Sequence, residues 1–371
     1  MADATIIMAG GSGTRLWPAS IGKSPKQLLR IGGGESLIAL AVIRAAAATP
    51  SGPIVIVTHR DHVAGIAANV GALSSLTLPG IAERIVYLPE PVGRNTAPAI
   101  ALGVGFLLSE CGADASVLVL TADHVIEPVD AFVADADVAC SVARDGYLVC
   151  FGIPPERPET GYGYIHAGDP VGGLGSSAPR SAPPARVRAF KEKPDAATAE
   201  RYLADGGYYW NSGMFCFTAG HFQSELSLHA PEVAGRFAGA GPIAVGPRPD
   251  RARSADSDAL LPLYESLPKI SIDYALLERS DRVAVVPATF GWNDVGSWDE
   301  VARLSSGGAG DAERARVVQI DADGNHIDSD LPVAVCGVSD LHVIVKNGRV
   351  LVCRRGRSQL VKDAVDAMGD Q

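Results

Sequence analysis

A glycine-rich segment with two cations follows the first apolar run of the chain. The run reads ATIIMA, and the glycines that come directly after it are Gly10, Gly11 and Gly13. Glycines that follow a strand let backbone N–H groups turn toward a bound phosphate, because no Cβ blocks a close approach. Arg15 and Lys26 add fixed positive charges at either end of the segment. These residue types at this spacing predict a loop that binds phosphate groups.

Two other kinds of glycine loop are excluded by the residues at fixed positions. A dinucleotide-binding loop follows the pattern G-x-G-x-x-G, but Leu16 occupies its last position here. A P-loop needs a glycine five residues before Gly22 of the Gly-Lys-Ser triplet, where this chain has Trp17. The loop therefore supports neither an NAD-dependent oxidoreductase nor a Walker-type NTPase. The remaining alternative is an ordinary strand-to-helix turn with surface charges.

Two aspartates occupy positions suited to a divalent cation. Asp123 ends the apolar run SVLVLTAD, and Asp294 lies in the segment GWNDVG. An Asp at the carboxyl end of a parallel strand faces the crevice in which such sheets bind ligands. Two carboxylates supply the hard oxygen ligands that Mg²⁺ prefers when it also binds phosphates. Each aspartate alone is equally consistent with a helix cap, and we interpret the adjacent His124 as a structural neighbour.

Further polar segments have both a functional and an ordinary interpretation. In EPVGRNTAPA, Thr96 is a candidate helix cap, so the segment is consistent with a capped helix after a polar turn. In FKEKP, Glu192 and Lys193 are consistent with a solvated charged turn. Gly163 punctuates a strand, as glycine does where a ligand approaches the backbone closely. The residues alone leave these alternatives open.

Apolar runs alternate with helical patterns through the first half of the chain. The runs predicted to be strands are 4–9, 53–58, 84–89, 116–123 and 147–153. The helices between them are predicted at 36–48, from about 61, at 96–109 and at 129–144. Continuous apolar strands separated by helices indicate a largely parallel sheet that is covered on both faces. The predicted fold is α/β, with a Rossmann-like, mixed but mostly parallel sheet.

The second half of the chain has a different texture. Strands are predicted at 186–192, 213–218 and 282–288, with a hairpin or loop insertion at 167–185 and a helical stretch at 219–280. Residues 305–313 (SSGGAGDAE) have the composition of a linker, and short strands and turns follow them. We therefore predict a catalytic domain over 1–304, and a linker with a small C-terminal β domain over 305–371.

Composition and charge exclude several classes of function. The chain of 371 residues has a net charge of −10, which disfavours nucleic acid and anionic membranes as partners. No apolar run reaches the roughly 20 residues that a membrane span needs, and no secretory leader is evident. The six cysteines form no C-x-x-C pair and are expected to be buried, reduced thiols. We expect a soluble, cytoplasmic protein.

The glycine segment from Met8 to Pro18, with Pro25 and Lys26, resembles the signature of the sugar-nucleotide pyrophosphorylases, and of the mannose-1-phosphate guanylyltransferases among them. Other segments that resemble the family are EPVGRNTAPA (90–99), LTADH (120–124), FKEKP (190–194), WNSGMF (210–215), SIDYALLE (271–278) and WNDVG (292–296). The likeness runs in unbroken order over about 4–302, and the tail resembles the family's short β-helical extension. It implies a nucleotidyltransferase-type fold followed by a β-helix-like domain.

The resemblance also implies roles for individual residues. Arg15, Lys26 and Lys193 are the predicted catalytic cations, and Asp123 and Asp294 are the predicted Mg²⁺ ligands. The predicted nucleotide-binding residues are Gly10, Gly11, Ser12, Gly13, Thr14, Arg15, Lys26, Arg94, Asn95, Thr96 and Asp123. The predicted sugar-phosphate-binding residues are Gly163, Glu192, Lys193 and Asn211.

The implied reaction joins GTP and α-D-mannose 1-phosphate to give GDP-mannose and diphosphate. The sugar phosphate is itself an anionic nucleophile, so the protein needs to supply cations and alignment rather than a nucleophilic side chain. One alternative is the same chemistry with another base or sugar, as in UDP-glucose or GDP-glucose synthesis. Another is a non-catalytic subunit that senses nucleotide sugars, which the full set of charged groups disfavours. The resemblance also implies a homodimer, and no phosphomannose isomerase activity, since the chain stops before the cupin-like domain of bifunctional relatives.

Overall fold

The computed structural model describes residues 1–11, 13–22, 24–171, 182–305 and 316–369. The predicted linker falls almost entirely outside these ranges, as does the middle of the predicted loop insertion. Within the described ranges, no helix is both long enough and apolar enough to cross a membrane.

One large sheet forms the centre of the molecule, in the order β10-β11-β3-β2-β1-β4-β9-β6-β12-β8-β7. The strands up to the C-terminal region are β1 (Ala4–Ala9), β2 (Ile54–His59), β3 (Ile85–Glu90), β4 (Ser116–Thr121), β5 (Val125–Glu127), β6 (Leu148–Ile153), β7 (Tyr164–Pro170), β8 (Ala185–Lys191), β9 (Tyr208–Thr218), β10 (Val245–Pro247), β11 (Arg253–Ala255), β12 (Val283–Pro287) and β13 (Gly291–Asn293).

Half of the sheet is parallel and half is mixed. β3, β2, β1 and β4 are parallel neighbours, so their carboxyl ends lie at one edge. β9 runs antiparallel between β4 and β6, and β7 and β8 add an antiparallel hairpin. The α/β class with a mixed sheet is confirmed. The antiparallel insertion of β9 is the feature that the strand pattern did not specify, because apolar runs do not encode pairing partners.

Helices cover both faces of this sheet, as predicted. They are α1 (Leu37–Ala48), α2 (Val63–Leu76), α3 (Ile81–Arg84), α4 (Thr96–Cys111), α5 (Val129–Arg144), α6 (Ala196–Asp205), α7 (Ala219–His229), α8 (Pro231–Ala240), α9 (Ser257–Ser266) and α10 (Trp298–Ser305). One apolar core lies between the sheet and α1, α2 and α5. A second core lies on the opposite face, under α4, α7, α8 and α9. Burial of these apolar stripes is the main driving force for the two-sided architecture.

Residues 316–369, which we call the C-terminal unit, contain five strands and a helix. They are β14 (Val317–Ile320), β15 (His326–Ser329), β16 (Val333–Cys336), β17 (Leu341–Lys346), β18 (Arg349–Arg354) and α11 (Leu360–Met368). Two parallel pairings have the same offset, since Val317 pairs with Val333 and His326 pairs with His342. A constant offset of this kind is the rung of a β-helix, which confirms the predicted β-helix-like character.

The C-terminal unit also differs from its prediction, because it ends in a helix. α11 buries Val361 and Val365, one turn apart, against the catalytic part of the chain. The helix sequence LVKDAVDAM has apolar residues at helical spacing, but the strand-like pattern directly before it led us to predict β structure throughout this region. The six cysteines form no disulfide, and Cys140, Cys150 and Cys216 are the buried ones.

Candidate active site

The glycine segment borders a cavity of about 470 Å³ at the carboxyl edge of the sheet. β1 delivers Gly10 to this edge, and a short 3-10 turn at Thr14–Leu16 follows. The residues that line the cavity are Gly10, Gly11, Gly13, Thr14, Arg15, Leu16, Lys26, Gln27, Asp123, His124, Asp294, Val295, Gly296 and Lys362. Ser12, which was predicted to bind nucleotide, lies outside the described residues. We call this space the phosphate cavity.

Gly13 is required by the local geometry of the loop. Its φ of 59° lies in the left-handed region, which favours glycine. A Cβ at this position would lie 2.6 Å from the Cβ of Lys26, which is closer than real side chains approach. The absence of a side chain at Gly13 therefore allows Lys26 to lie directly against the loop.

Lys26 connects the two predicted metal-binding segments. Its ammonium donates to the Asp123 carboxylate and to the main-chain carbonyl of Asp294, each at 2.6 Å. Burial opposes ionisation of Asp123, but the Lys26 charge outweighs it, so the pKa of this carboxyl lies below its ordinary value. The cation and both acidic residues therefore lie together, although they are far apart in the sequence.

A small antiparallel ribbon brings the two acidic segments together. β5 follows Asp123 and pairs with β13, which immediately precedes Asp294, and Asn293 lies opposite Val125. The Asp294 carboxylate accepts a hydrogen bond from the Tyr162 hydroxyl at 2.7 Å. Among the described residues, no group of three or more His, Cys, Asp or Glu is arranged to hold a metal. Two carboxylates nevertheless suit a hard cation that takes its other ligands from phosphate and water.

His124 lies beside these acids as a neutral side chain. Burial lowers the pKa of His124 to about 4. The indole of Trp292 donates to its Nδ1 at 3.0 Å, which leaves the proton on Nε2. The contact ties the two strands of the ribbon together, in agreement with the structural role that we expected for this histidine.

A second cavity, of about 630 Å³, lies on the other side of the glycine segment. We call it the base cavity. Its lining residues are Met8, Gly10, Gly11, Ile21, Gly22, Pro25, Val57, His59, His62, Glu90, Gly93, Asn95, Thr96, Ala99 and Lys269. Gly10 and Gly11 line both cavities, so a ligand in one is adjacent to a ligand in the other. The lining is mostly apolar with a few polar groups, which is typical of a site for a flat organic ring.

Glu90 is the most unusual residue of the base cavity. It ends β3 and is only 7% exposed, and its Oε1 atom has no hydrogen-bond partner among the described residues. Burial raises the pKa of Glu90 to about 7. Its polar neighbour in the protein is Tyr264, which interacts with the carboxylate. A buried carboxylate with an unpaired oxygen is costly unless a ligand supplies a donor, so Glu90 is a candidate recognition group.

The structure separates Arg94 from Asn95 and Thr96. Asn95 and Thr96, which were predicted to bind the nucleotide, line the base cavity. The Arg94 guanidinium is not among the lining groups, and it donates to the carbonyls of Tyr264 and Glu265 at 2.8 and 3.2 Å. Asn95, rather than Thr96, caps α4, because its side-chain oxygen accepts from the Thr96 N–H at 2.8 Å. The Thr96 hydroxyl accepts instead from the Ile272 N–H at 2.9 Å.

The predicted sugar-phosphate residues form a polar cluster on the other side of the phosphate cavity. Asn211 donates to Asp273 at 3.0 Å through its side chain, and to the Gly163 carbonyl at 2.8 Å through its main chain. Burial and the nearby Glu192 raise the pKa of Asp273 to about 6. The Lys193 ammonium lies 3.1 Å from the Glu192 carboxylate and is largely exposed. We call Gly163, Glu192, Lys193, Asn211 and Asp273 the sugar cluster.

Tyr162 joins the sugar cluster to the phosphate cavity. Its hydroxyl binds Asp294, and its carbonyl accepts from the Lys193 N–H at 3.2 Å. A continuous path of contacts therefore runs from Lys26 through Asp294 and Tyr162 to Lys193. Four of the five charged groups expected to act together (Arg15, Lys26, Asp123 and Asp294) line one cavity, and the fifth, Lys193, is connected to it through its main chain and Tyr162.

Several residues of the cleft were missed by sequence reasoning. They are Glu90, Tyr162, Lys362, His59 and His62. Glu90 and His59 end parallel strands, which is a signal that the sequence does contain. His59 and His62 both line the base cavity. No sequence pattern pointed to Lys362, because its position in the cavity depends on how the C-terminal unit packs against the large domain.

Two family models match this chain. The model described as nucleotidyl transferase matches residues 4–240. The model described as MannoseP isomerase/GMP-like beta-helix domain matches residues 315–368. The two matches fall on the large sheet domain and on the C-terminal unit, respectively.

Named relatives are similar over nearly the whole chain. The xanthan biosynthesis protein XanB of Xanthomonas campestris pv. campestris (strain B100) is 40% identical over 361 residues. A mannose-1-phosphate guanylyltransferase of Escherichia coli K12 is 38% identical over 365 residues. Each comparison covers 97% of this chain and 72% of the relative. A Thermus thermophilus crystal structure, described as a mannose-1-phosphate geranyltransferase, is 31% identical, with a TM-score of 0.78 and full coverage of both chains.

Proposed function

Since the chain belongs to the nucleotidyl transferase family, and within it to the group that contains the mannose-1-phosphate guanylyltransferases, we propose that it converts GTP and α-D-mannose 1-phosphate to GDP-mannose and diphosphate. The observation that carries the proposal is the position of the glycine segment, between a cavity with a buried acid whose Oε1 is unpaired and a polar cluster. The reaction needs three adjoining subsites, for a base, a phosphate chain and a sugar phosphate. The cleft offers all three in that order.

Glu90 supports guanine as the base. A carboxylate accepts two hydrogen bonds side by side, and guanine presents two adjacent donors, N1–H and the 2-amino group. Uracil presents one N–H between two carbonyl oxygens, and adenine presents its amino group beside an acceptor nitrogen. A guanine in the base cavity therefore satisfies the buried acid, whereas the other bases leave part of it unpaired.

The sugar cluster supports a sugar 1-phosphate as the second substrate. Glu192 and Asp273 are acceptors for sugar hydroxyls, and Asn211 is held in place by its bond to Asp273. Lys193 supplies the positive charge of this cluster, which suits the phosphate group. Its main chain is tied to Tyr162, so the phosphate is held close to Asp294.

The chain's own groups align the substrates and neutralise charge. A phosphate oxygen of the sugar phosphate attacks the α-phosphorus of GTP, and the bond between the α-phosphorus and the bridging oxygen breaks as diphosphate leaves. Arg15 and Lys26 bind the departing diphosphate, while Lys193 holds the attacking phosphate in line. Asp123 and Asp294 fit Mg²⁺, which when bound would reduce the repulsion between the two anions. When the nucleotide binds, the Lys26 ammonium releases the Asp123 carboxylate and binds a phosphate oxygen instead.

A diphosphate-release assay tests this proposal. We expect release with GTP and mannose 1-phosphate together, no release when either is omitted, and loss of activity in EDTA that Mg²⁺ restores. UTP, ATP and glucose 1-phosphate complete the panel. Preferred turnover of UTP or of glucose 1-phosphate would replace the substrate assignment. Binding of GDP-mannose without any turnover would favour a non-catalytic, nucleotide-sugar-sensing protein.

The proposal extends to the organisation and location of the protein. We place the catalytic groups mainly in residues 1–304, assign the linker and C-terminal domain to 305–371, and place the reaction in the cytoplasm. We also propose a homodimer. Its support is the row of exposed apolar side chains on the C-terminal unit, which are Val317, Val318, Ile320, Leu331, Val338, Val350 and Val352.

A further inference from the structure

The C-terminal unit packs directly against the loop that forms the phosphate cavity. Val361 and Val365 of α11 share a buried apolar cluster with Leu16 and Trp17 of the glycine segment. The cluster also contains Val295, the residue after Asp294. Leu16 follows Arg15 in the sequence, so the residues next to two charged groups of the cleft are packed against the C-terminal unit.

Polar contacts fix the position of the C-terminal unit on the loop, one of them direct and the others through α10. The Asn347 side chain of the C-terminal unit donates to the Pro18 carbonyl at 2.9 Å, and the Trp298 indole of α10 donates to the Trp17 carbonyl at 2.9 Å. The Asp299 carboxylate accepts from the Gly356 N–H at 2.7 Å and contacts His342 Nε2 at 2.8 Å. Directional bonds of this kind select one packing arrangement, which apolar contacts alone do not.

Lys362 extends from α11 into the phosphate cavity. It follows Val361, which anchors the helix, and it lines the same cavity as Arg15 and Lys26. It is exposed, and in the described part of the chain it makes no ion pair, although Asp363 and Asp366 lie on its own helix. Lys26 differs, because its charge is already paired with Asp123. Lys362 therefore adds an unpaired positive charge to a cavity built around phosphate.

We propose that Lys362 binds the β- and γ-phosphates of the nucleoside triphosphate and the diphosphate that leaves, so that the C-terminal unit completes the active site. The inference rests on the proposed function for the identity of the nucleotide. Diphosphate carries several negative charges, and a third cation beside Arg15 and Lys26 reduces their mutual repulsion. The C-terminal unit thereby acts as a part of the catalytic cleft as well as a scaffold.

The product offers an internal control for this role. GDP-mannose fills the base and sugar subsites but leaves the diphosphate subsite empty, because that group departs during the reaction. Loss of Lys362 should therefore weaken the binding of GTP and of inorganic diphosphate, and leave the binding of GDP-mannose unchanged. A purely structural role for Lys362 would weaken the binding of all three ligands together.

The test compares the full-length wild type with Lys362→Ala, Lys362→Arg and Arg354→Ala by calorimetric titration. Arg354 is an exposed cation of β18 outside both cavities, so its variant is matched in charge. In Lys362→Ala we expect about tenfold weaker binding of inorganic diphosphate with MgCl₂, the usual size for one charged hydrogen bond. Lys362→Arg should restore most of the affinity, and Arg354→Ala should match the wild type.

Diphosphate binding by Lys362→Ala equal to that of the wild type would overturn the inference, as would an equal loss of GDP-mannose binding. The outcome is separable from that of the proposed function, because inorganic diphosphate needs neither the base nor the sugar. A wild type that binds diphosphate but shows no turnover with GTP and mannose 1-phosphate would refute the proposed substrates alone.

Discussion

The Lys26 ammonium lies between two acidic residues from distant parts of the chain. Its bonds to Asp123 and to the Asp294 carbonyl hold the two acidic segments together, since two neighbouring carboxylates without a cation would repel each other. The arrangement therefore suits a polyanion that brings its own metal ion, because the metal ion can replace the Lys26 ammonium beside the carboxylates. At the scale of single residues, charge balance explains why the cleft contains both acidic and basic side chains.

The Asp294 carboxylate is expected to be essential for turnover. Asp294→Asn removes one charge while it keeps the shape of the side chain, and we expect turnover to fall about a hundredfold or more, as for loss of one charge-stabilising group. Arg15→Ala should have a similar effect from the other side of the cavity. Diphosphate release at saturating substrates measures both.

Asp281→Asn is the matched control for this pair of variants, because Asp281 is exposed and lies outside both cavities. It should behave like the wild type. Near-normal turnover in Arg15→Ala would remove the glycine loop from the mechanism.

The ionisation of Glu90 should control the binding of guanine. Its pKa of about 7 means that the accepting carboxylate form is lost as the pH falls below neutrality. We expect the affinity for GDP-mannose to fall up to tenfold per pH unit between about pH 7 and pH 6. GDP-mannose is the suitable ligand, because its diphosphate bridge does not titrate in this range. Calorimetric titration from pH 6 to pH 8 gives the profile.

Other titratable groups share the base cavity with Glu90, namely His59, His62 and Lys269. Glu90→Gln separates their effects, since it removes the carboxylate and leaves the others in place. The variant should bind GDP-mannose weakly, with a nearly flat pH profile. A wild-type profile that persists unchanged in Glu90→Gln would assign the titration to a neighbour.

At the scale of elements, the ends of strands account for most of the cleft. β1, β2, β3 and β4 are parallel, and the segments after them carry the glycine loop, His59, Glu90 and Asp123 to one edge. Ligands bind at this edge in open α/β sheets. The β5–β13 ribbon adds Asp294. The residues that flank the β7–β8 hairpin add Gly163, Glu192 and Lys193 of the sugar cluster, and β9 adds Asn211.

These placements show what the sequence could and could not predict. The positions of the strands followed from the apolar runs. The motifs that contain Asp123 and Asp294 predicted that these two residues lie close together. The side-chain direction of Arg94 could not be predicted, because it depends on carbonyls at the end of α9 that lie 170 residues away in the sequence. Tyr162 was missed for the same reason, since its partner Asp294 comes from another element. Local patterns encode elements, whereas long-range packing decides which side chains meet.

A substitution at Gly163, which directly precedes β7, should weaken the binding of the sugar phosphate and leave the binding of the nucleotide nearly unchanged. An added Cβ would lie 2.6 Å from Glu192 Oε2, so Gly163→Ala must displace a carboxylate of the sugar cluster. We expect the KM for mannose 1-phosphate to rise at least tenfold, with little change in the KM for GTP. Steady-state kinetics with each substrate varied in turn provides the measurement. Gly235→Ala, in a position open to solvent on α8, is the control. Equal increases in both KM values would indicate general damage instead.

At the scale of the whole molecule, the C-terminal unit supports the catalytic loop. Leu16 and Trp17 are buried against Ile344, Val361 and Val365, so the glycine loop has protein on both sides. A loop held in this way loses less conformational freedom when it binds the nucleotide. The small β-helical unit and the large sheet domain therefore share one functional surface.

Asp299 should be the main polar link between these parts. Burial opposes its ionisation, but bonds from Gly356, Ser358 and His342 dominate and lower the pKa of Asp299 to about 2. We expect Asp299→Asn to loosen the C-terminal unit, with faster limited proteolysis after about residue 305 and lower turnover. Because the folded-state pKa lies below the ordinary value of 3.8, the stabilisation is complete above about pH 4 and is lost toward pH 2.

The melting temperatures of wild type and Asp299→Asn should therefore differ at pH 7 and converge below about pH 4. Asp281→Asn again serves as the exposed control. A difference that grows on acidification would contradict the assignment, since it would require the protonated form of Asp299 to be the stabilising one.

The apolar edge of the C-terminal unit should mediate the proposed homodimer. Among the strands that the structure describes, β18 pairs only with β17, and its Val350 and Val352 are 59% and 61% exposed. Contiguous apolar surface on an edge strand favours association. We expect a dimer for the wild type and a monomer for the Val350→Lys, Val352→Lys double variant by light scattering, because two lysines would repel their copies across the interface. Leu76→Lys, at the exposed last residue of α2, should remain dimeric. If the double variant is still a dimer, the interface lies elsewhere on the molecule. A monomeric wild type would refute the proposed homodimer.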